Sequence, residues 1–133
     1  PAEIRVIATS VQVISTTHGW ESWGNFPKER ERFFSLLKET KANGVVLLSG
    51  DRHSAEISKL EGVLPSPLFD VTSSAMNQKQ RPQAEENSHR VGERYFDENF
   101  GLLQINWSKP KPIVTMEIRD LAGKVVRQAQ VTF

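Results

Sequence analysis

Residues 45–48, Val-Val-Leu-Leu, carry no polar side chain and lie between Asn43-Gly44 and Ser49-Gly50-Asp51. A run this short and this apolar, with glycine at both ends, reads as a buried strand. It ends in a tight glycine turn that projects a carboxylate, Asp51, and an imidazole, His53, two residues apart. Open sheets build their active sites at the carboxyl ends of strands. A carboxylate with a neutral imidazole suits zinc, manganese or iron, and the carboxylate alone also suits calcium. The four residues Gly50-Asp51-Arg52-His53 suit equally well an Asp that caps the turn and a His on the surface.

The flanking segments place this turn in a mixed α/β arrangement. Residues 4–9 and 11–14, rich in Val and Ile, predict a strand or a strand–bulge–strand. A loop follows through His18, and then Trp20, Trp23 and Phe26 crowd together. That cluster fits a loop pinned against the core or the wall of a substrate pocket, which favours aromatics with a few placed polar groups. A helix is predicted over 27–41. Pro27 suits its first turn, Phe33, Phe34 and Leu37 make an apolar stripe behind Arg30, and Asn43-Gly44 reads as its stop. Strands 4–9 and 45–49 are expected to be neighbours, with this helix on one face.

Beyond the turn, residues 55–60 and 68–73 read as strands, the second ending in Ser73-Ser74. Residues 77–94 contain almost nothing apolar and predict a long exposed loop, either mobile or folded over a site. His89 and Arg90 read as solvated loop residues. Residues 99–107, 113–119 and 124–133 predict an antiparallel β meander, with Asp120-Leu121-Ala122-Gly123 as its last turn.

Composition narrows the function. The 133 residues suit one domain or a piece of one, and 38% hydrophobic with 25% charged content permits a packed core. A net charge of +1 lacks the basic bias of a nucleic-acid binder, and no run near 18 apolar residues is present to span a membrane. Cysteine is absent, which removes thiolate ligands and cysteine nucleophiles. His18, His53 and His89 are the only imidazoles. Pro1-Ala2-Glu3 leads at once into strand-like sequence, so residues 1–133 are expected to be part of a longer chain.

Two segments together resemble a known family. Trp23-Gly24-Asn25-Phe26-Pro27-Lys28-Glu29-Arg30, followed by a helix and Val45-Val46-Leu47-Leu48-Ser49-Gly50-Asp51-Arg52-His53, resembles the alkaline phosphatase D-like (PhoD-like) branch of the calcineurin-like metallophosphoesterases. Asp70-Val71-Thr72-Ser73-Ser74, Arg90-Val91-Gly92-Glu93 and Asn99-Phe100-Gly101-Leu102-Leu103 resemble that family's ending. The resemblance implies the C-terminal half of a four-layer α/β/β/α sandwich with two metal ions, divalent calcium, manganese or zinc and also iron being candidates. It makes Asp51 and His53 the metal-ligand candidates. Arg52 between them and His18 upstream are further catalytic candidates, and Trp20, Trp23 and Asn99 are substrate-binding candidates, with Ser73 a weaker one. Glu56 is a candidate orienter of His53, although it reads more readily as a solvated strand residue.

The family's early D-x-H, G-D and G-N-H-[DE] motifs have no counterpart here: the one G-D is that of the final Gly50-Asp51-Arg52-His53, and Gly24-Asn25 is followed by Phe26, not His. The expected partner is therefore an N-terminal half of the same domain, and the expected substrate a phosphate ester, with no nucleic acid. Export to a periplasmic or extracellular location is implied by the resemblance. The competing reading is a non-catalytic β-rich module whose binding surface is made by residues 20–26 and 77–94.

Overall fold

The computed structural model describes residues 2–133; Pro1 lies outside the described residues. Its elements run β1 (Arg5–Ala8), a short 3-10 turn (Trp23–Asn25), α1 (Pro27–Glu39), β2 (Val45–Ser49), β3 (Ala55–Leu60), β4 (Leu68–Ser73), β5 (Asn99–Asn106), β6 (Ile113–Asp120) and β7 (Val125–Thr132). The first four strands make one sheet in the order β1-β2-β4-β3, and the last three make a second in the order β5-β6-β7. β1, β2 and β4 are mutually parallel, β3 is antiparallel to β4, and the second sheet is antiparallel throughout.

The apolar run of β2 has a structural cause. Strand side chains alternate between faces. Val46 joins Ala55, Ile57, Phe69 and Val71 against Val114, Met116, Ile118, Val131 and Phe133 of the second sheet. Val45 and Leu47 point the other way, into a cluster with Leu37, Ala42, Val13, Ile14 and Leu68 that α1 covers. The first sheet is therefore buried on both faces, and β2 has no solvated side to carry a polar residue. The layers run helix, sheet, sheet.

Strand ends fall within a residue of the sequence reading, and the helix end differs in kind. The helix stops at Glu39, not 41, and its stop is not Asn43-Gly44. Lys41 takes the left-handed conformation at φ 50°; its N–H donates to Lys38 O and that of Ala42 to Leu37 O. This is the Schellman arrangement, with Leu37 and Ala42 in contact inside one cluster. Gly44 instead feeds β2 at φ 63°, where a Cβ would lie 1.9 Å from Glu3 O.

Residues 11–14 form no strand. Gln12 makes one isolated bridge to Ser22, and the rest of the segment is held by side chains. The N–H groups of Val13 and Ile14 donate to Asp70 Oδ2 at 2.7 and 3.1 Å, and Arg30 Nε donates to Val13 O at 2.6 Å. A buried carboxylate and a helix guanidinium thus replace a neighbouring strand as partners for this backbone.

Candidate active site

Because β1, β2 and β4 are parallel, their carboxyl ends lie along one edge of the sheet. The connections leaving that edge are residues 9–22, 50–54 and 74–98. They enclose a cleft of about 360 Å³ lined by Trp20 and Glu21 from the first, Asp51, Arg52 and His53 from the second, and Gln80, Gln83, Glu85 and Arg94 from the third. Topology alone accounts for the convergence of residues 74 positions apart.

Asp51 and His53 are both exposed at the cleft. Both occupy the left-handed region, at φ 63° and 50°. Such conformations persist in non-glycine residues where the surroundings enforce them. Here the Arg52 N–H donates to Ser74 Oγ at 3.0 Å, while Arg52 O accepts from Ser54 Oγ at 3.1 Å and from Arg94 Nη2 at 3.3 Å. The alternation across this kinked turn puts the two candidate ligands outward and Arg52 inward.

Arg52 is consequently not solvated. Its side chain is 7% exposed and its Nη2 lies 2.5 Å from Glu85 Oε2. Arg94, 5% exposed, approaches the same oxygen with Nη1 at 2.7 Å, an ion-pair contact outside hydrogen-bond geometry, and its Nε donates to Ser54 Oγ at 2.8 Å. Burial raises the Glu85 pKa, but the Arg94 and Arg52 guanidiniums held against the carboxylate outweigh it, leaving the carboxyl below the usual glutamate value. Glu85 is ionised at neutral pH.

Beside this triad runs a second buried network. Glu56 is buried, not solvated: it pairs with Arg90 Nε at 2.5 Å and accepts from Gln12 Nε2 at 2.7 Å and Asn87 Nδ2 at 3.2 Å. Arg90 is likewise half-buried, and its Nη2 donates to Glu85 O at 3.1 Å. Thr17 Oγ1 donates to Glu86 O at 2.7 Å. The polar segment 77–94 is therefore folded over the site through these ionic and polar contacts, together with backbone hydrogen bonds to β3 and the packing of Val91 on the core.

His18 does not line the cleft, but it feels the charges of Arg52, Glu85, Glu56 and Arg94. Burial first, and then Arg52, hold its pKa below the ordinary histidine value, so it is neutral at pH 7. Its Nδ1 accepts the Trp20 N–H at 3.1 Å, which assigns the proton to Nε2, a buried atom with no partner among the described residues.

Two candidates lie elsewhere. Trp23 stacks on Phe33 at 5.3 Å and donates to Thr9 Oγ1 at 2.9 Å, within the helix-side core and away from the cleft. Asn99 is buried; its Oδ1 accepts from Ser73 Oγ at 2.7 Å and its Nδ2 donates to Asp97 O at 2.7 Å, so its polar atoms serve the start of β5. Trp20, by contrast, is 55% exposed on the cleft. Glu85, Gln80 and Gln83 were not legible as site residues, since nothing local separates them from the surrounding polar loop.

A carboxylate oxygen and an imidazole nitrogen are apt metal ligands. Among the described residues, however, no cluster of three or more His, Cys, Asp or Glu could hold an ion. The pair fits as part of a metal centre and not as a whole one.

No family model matches the chain. Alkaline phosphatase D of Bacillus subtilis (strain 168) is 37% identical over 46 residues, 35% of this chain and 8% of that protein. A solved structure of PhoD matches 98% of this chain and 28% of its own length, with a TM-score of 0.62 and 19% identity. This chain is thus similar to alkaline phosphatase D in fold over nearly all of its length and in sequence over a shorter stretch, and it spans under a third of the PhoD structure.

Proposed function

We propose that this chain is the C-terminal part of a metal-dependent phosphoesterase domain and supplies one wall of its active site. The observation that carries the reading is the exposed Asp51–His53 pair, held at the carboxyl end of β2 on a PhoD-like fold. In the longer protein the two sheets would be the inner layers of a four-layer α/β/β/α sandwich. The remaining ligands would come from residues beyond these 133.

Asp51 and His53 would hold metal at the cleft mouth. Bound metal ions in such sites lower the pKa of a water and neutralise phosphoryl oxygens during in-line attack. The chain's own residues do the rest. Arg52 and Arg94 set two guanidiniums against the carboxylates of Glu21, Asp51 and Glu85 in the cleft lining, so the positive charge that a phosphate ester needs would come from the bound metal. Trp20 offers a flat apolar face, and Gln80 and Gln83 offer amide groups, to the organic part of the ester. His18 keeps a neutral ring whose free N–H is Nε2. Manganese, zinc and iron suit both donor types, and calcium suits the Asp51 carboxylate.

Among the described residues, no helix is long and apolar enough to cross a membrane. The likeness to alkaline phosphatase D is also the ground for proposing an exported protein.

The test is Asp51→Ala and His53→Ala in the full-length protein. Both side chains are exposed, so metal-free stability should barely change. Metal content should drop, and kcat should fall by far more than the roughly 10–100-fold typical of groups that only orient a ligand. Full metal occupancy with near-normal kcat in His53→Ala would refute the assignment.

A further inference from the structure

We propose that Glu85 and Arg94 are positioning residues that set the geometry of Asp51 and His53. The inference rests on the reading of that pair as metal ligands. Three observations carry it.

The turn is strained on both sides of Arg52, since Asp51 and His53 are left-handed non-glycine residues. Residues in this conformation persist where the surrounding structure over-determines them. Arg94 supplies that restraint from above: Nη2 donates to the backbone oxygen of Arg52, the carbonyl between the two candidate ligands, and Nε fixes Ser54. Glu85 closes the arrangement by pairing the Arg52 and Arg94 side chains through one oxygen.

The second observation is the burial of three charges. Exposures of 7, 11 and 5% for Arg52, Glu85 and Arg94 mean that each has lost most of its water. Buried ion pairs add little net stability, because desolvation offsets the attraction, while removing one partner leaves an uncompensated buried charge. A triad with this cost, placed directly behind an exposed turn, is suited to holding that turn.

The third is the origin of Glu85. It lies in the polar stretch 77–94, which is otherwise docked by Arg90, Asn87 and Thr17 contacts. Docking of that segment and the shape of the 51–53 turn are therefore one event. Glu85 makes no hydrogen bond to Asp51 or His53 and acts through Arg52 and Arg94.

The experiment uses the full-length protein carrying Glu85→Gln, Arg94→Gln and both together. Metal affinity, kcat and KM on bis-p-nitrophenyl phosphate are measured, together with Tm and amide exchange at residues 50–54 in chelator. Glu85→Gln should lower metal affinity and kcat by about 10–100-fold, with KM nearly constant. The double variant should lose little more than either single one, as expected of groups in one network. In chelator, the Arg52 amide should exchange faster than in the wild type. Unchanged metal affinity, kcat and exchange would overturn the proposal. So would a lower Tm with normal affinity and kcat per folded molecule, since that describes a merely structural triad. Failure of the ligand assignment itself is recognised separately, by an Asp51→Ala variant that keeps its metal.

Discussion

At the scale of single residues, two positions show how backbone and burial outweigh side-chain identity. Gly44 is required where it stands: its φ is 63° and a Cβ would meet Glu3 O at 1.9 Å. Gly44→Ala should lower unfolding free energy by about 3 kcal/mol or more, read by urea denaturation. Asp70 presents the opposite case, a carboxylate inside the protein. Burial raises its pKa, and hydrogen bonds from Ser49, Ile14 and Val13 only partly oppose this. The folded state then holds the proton more tightly than the unfolded chain. This group's contribution to stability falls as pH rises from the ordinary aspartate value, 3.8, through the raised folded value. Asp70→Asn should lack that decline. Equal slopes for wild type and variant across acidic pH would show the shift to be absent. Four letters of sequence, Gly50-Asp51-Arg52-His53, single out Asp51 and His53 as candidates, and the structure leaves both exposed at the cleft. The inward course of Arg52 was not legible there, because only the left-handed turn decides which way the middle side chain points.

At the scale of elements, the helix end is informative. A lysine, Lys41, occupies the left-handed position that glycine usually fills in a Schellman motif. Lys41→Gly should therefore stabilise the protein by about 1 kcal/mol, despite the greater freedom of glycine in the unfolded chain. A lower midpoint in thermal denaturation would contradict this. The helix itself, strands β2 to β7 and the pairing of β1 with β2 follow from periodicity and apolar runs. Residues 11–14 did not, since a Val- and Ile-rich segment satisfies strand propensity equally well when its amides bond a distant aspartate. Loop 77–94 shows the converse limit. Its composition describes a solvated segment, yet Glu85 and Arg90 are drawn in by arginine and glutamate partners remote in sequence.

At the scale of the whole molecule, the chain packs two sheets and one helix around two apolar clusters, and among the described residues no group of three or more His, Cys, Asp or Glu is placed to hold a metal ion. Assayed alone against p-nitrophenyl phosphate and bis-p-nitrophenyl phosphate with manganese, calcium, zinc and iron, it should give no turnover beyond that of an Asp51→Ala/His53→Ala double variant. Turnover above that background would mean that these residues already hold a working centre.

Local pattern determined the strands, the helix and the outward Asp51–His53 pair, because alternation, helical period and glycine turns act over a few residues and are written in order along the chain. Tertiary structure alone decided the rest. The move of Trp23 and Asn99 away from the cleft, the burial of Glu56 and the union of Arg52, Glu85 and Arg94 all depend on partners 14 to 42 residues away. A charged side chain carries no local mark of whether it will meet water or an opposite charge. That outcome is set by parallel strands bringing three loops to one edge, where desolvation makes pairing obligatory.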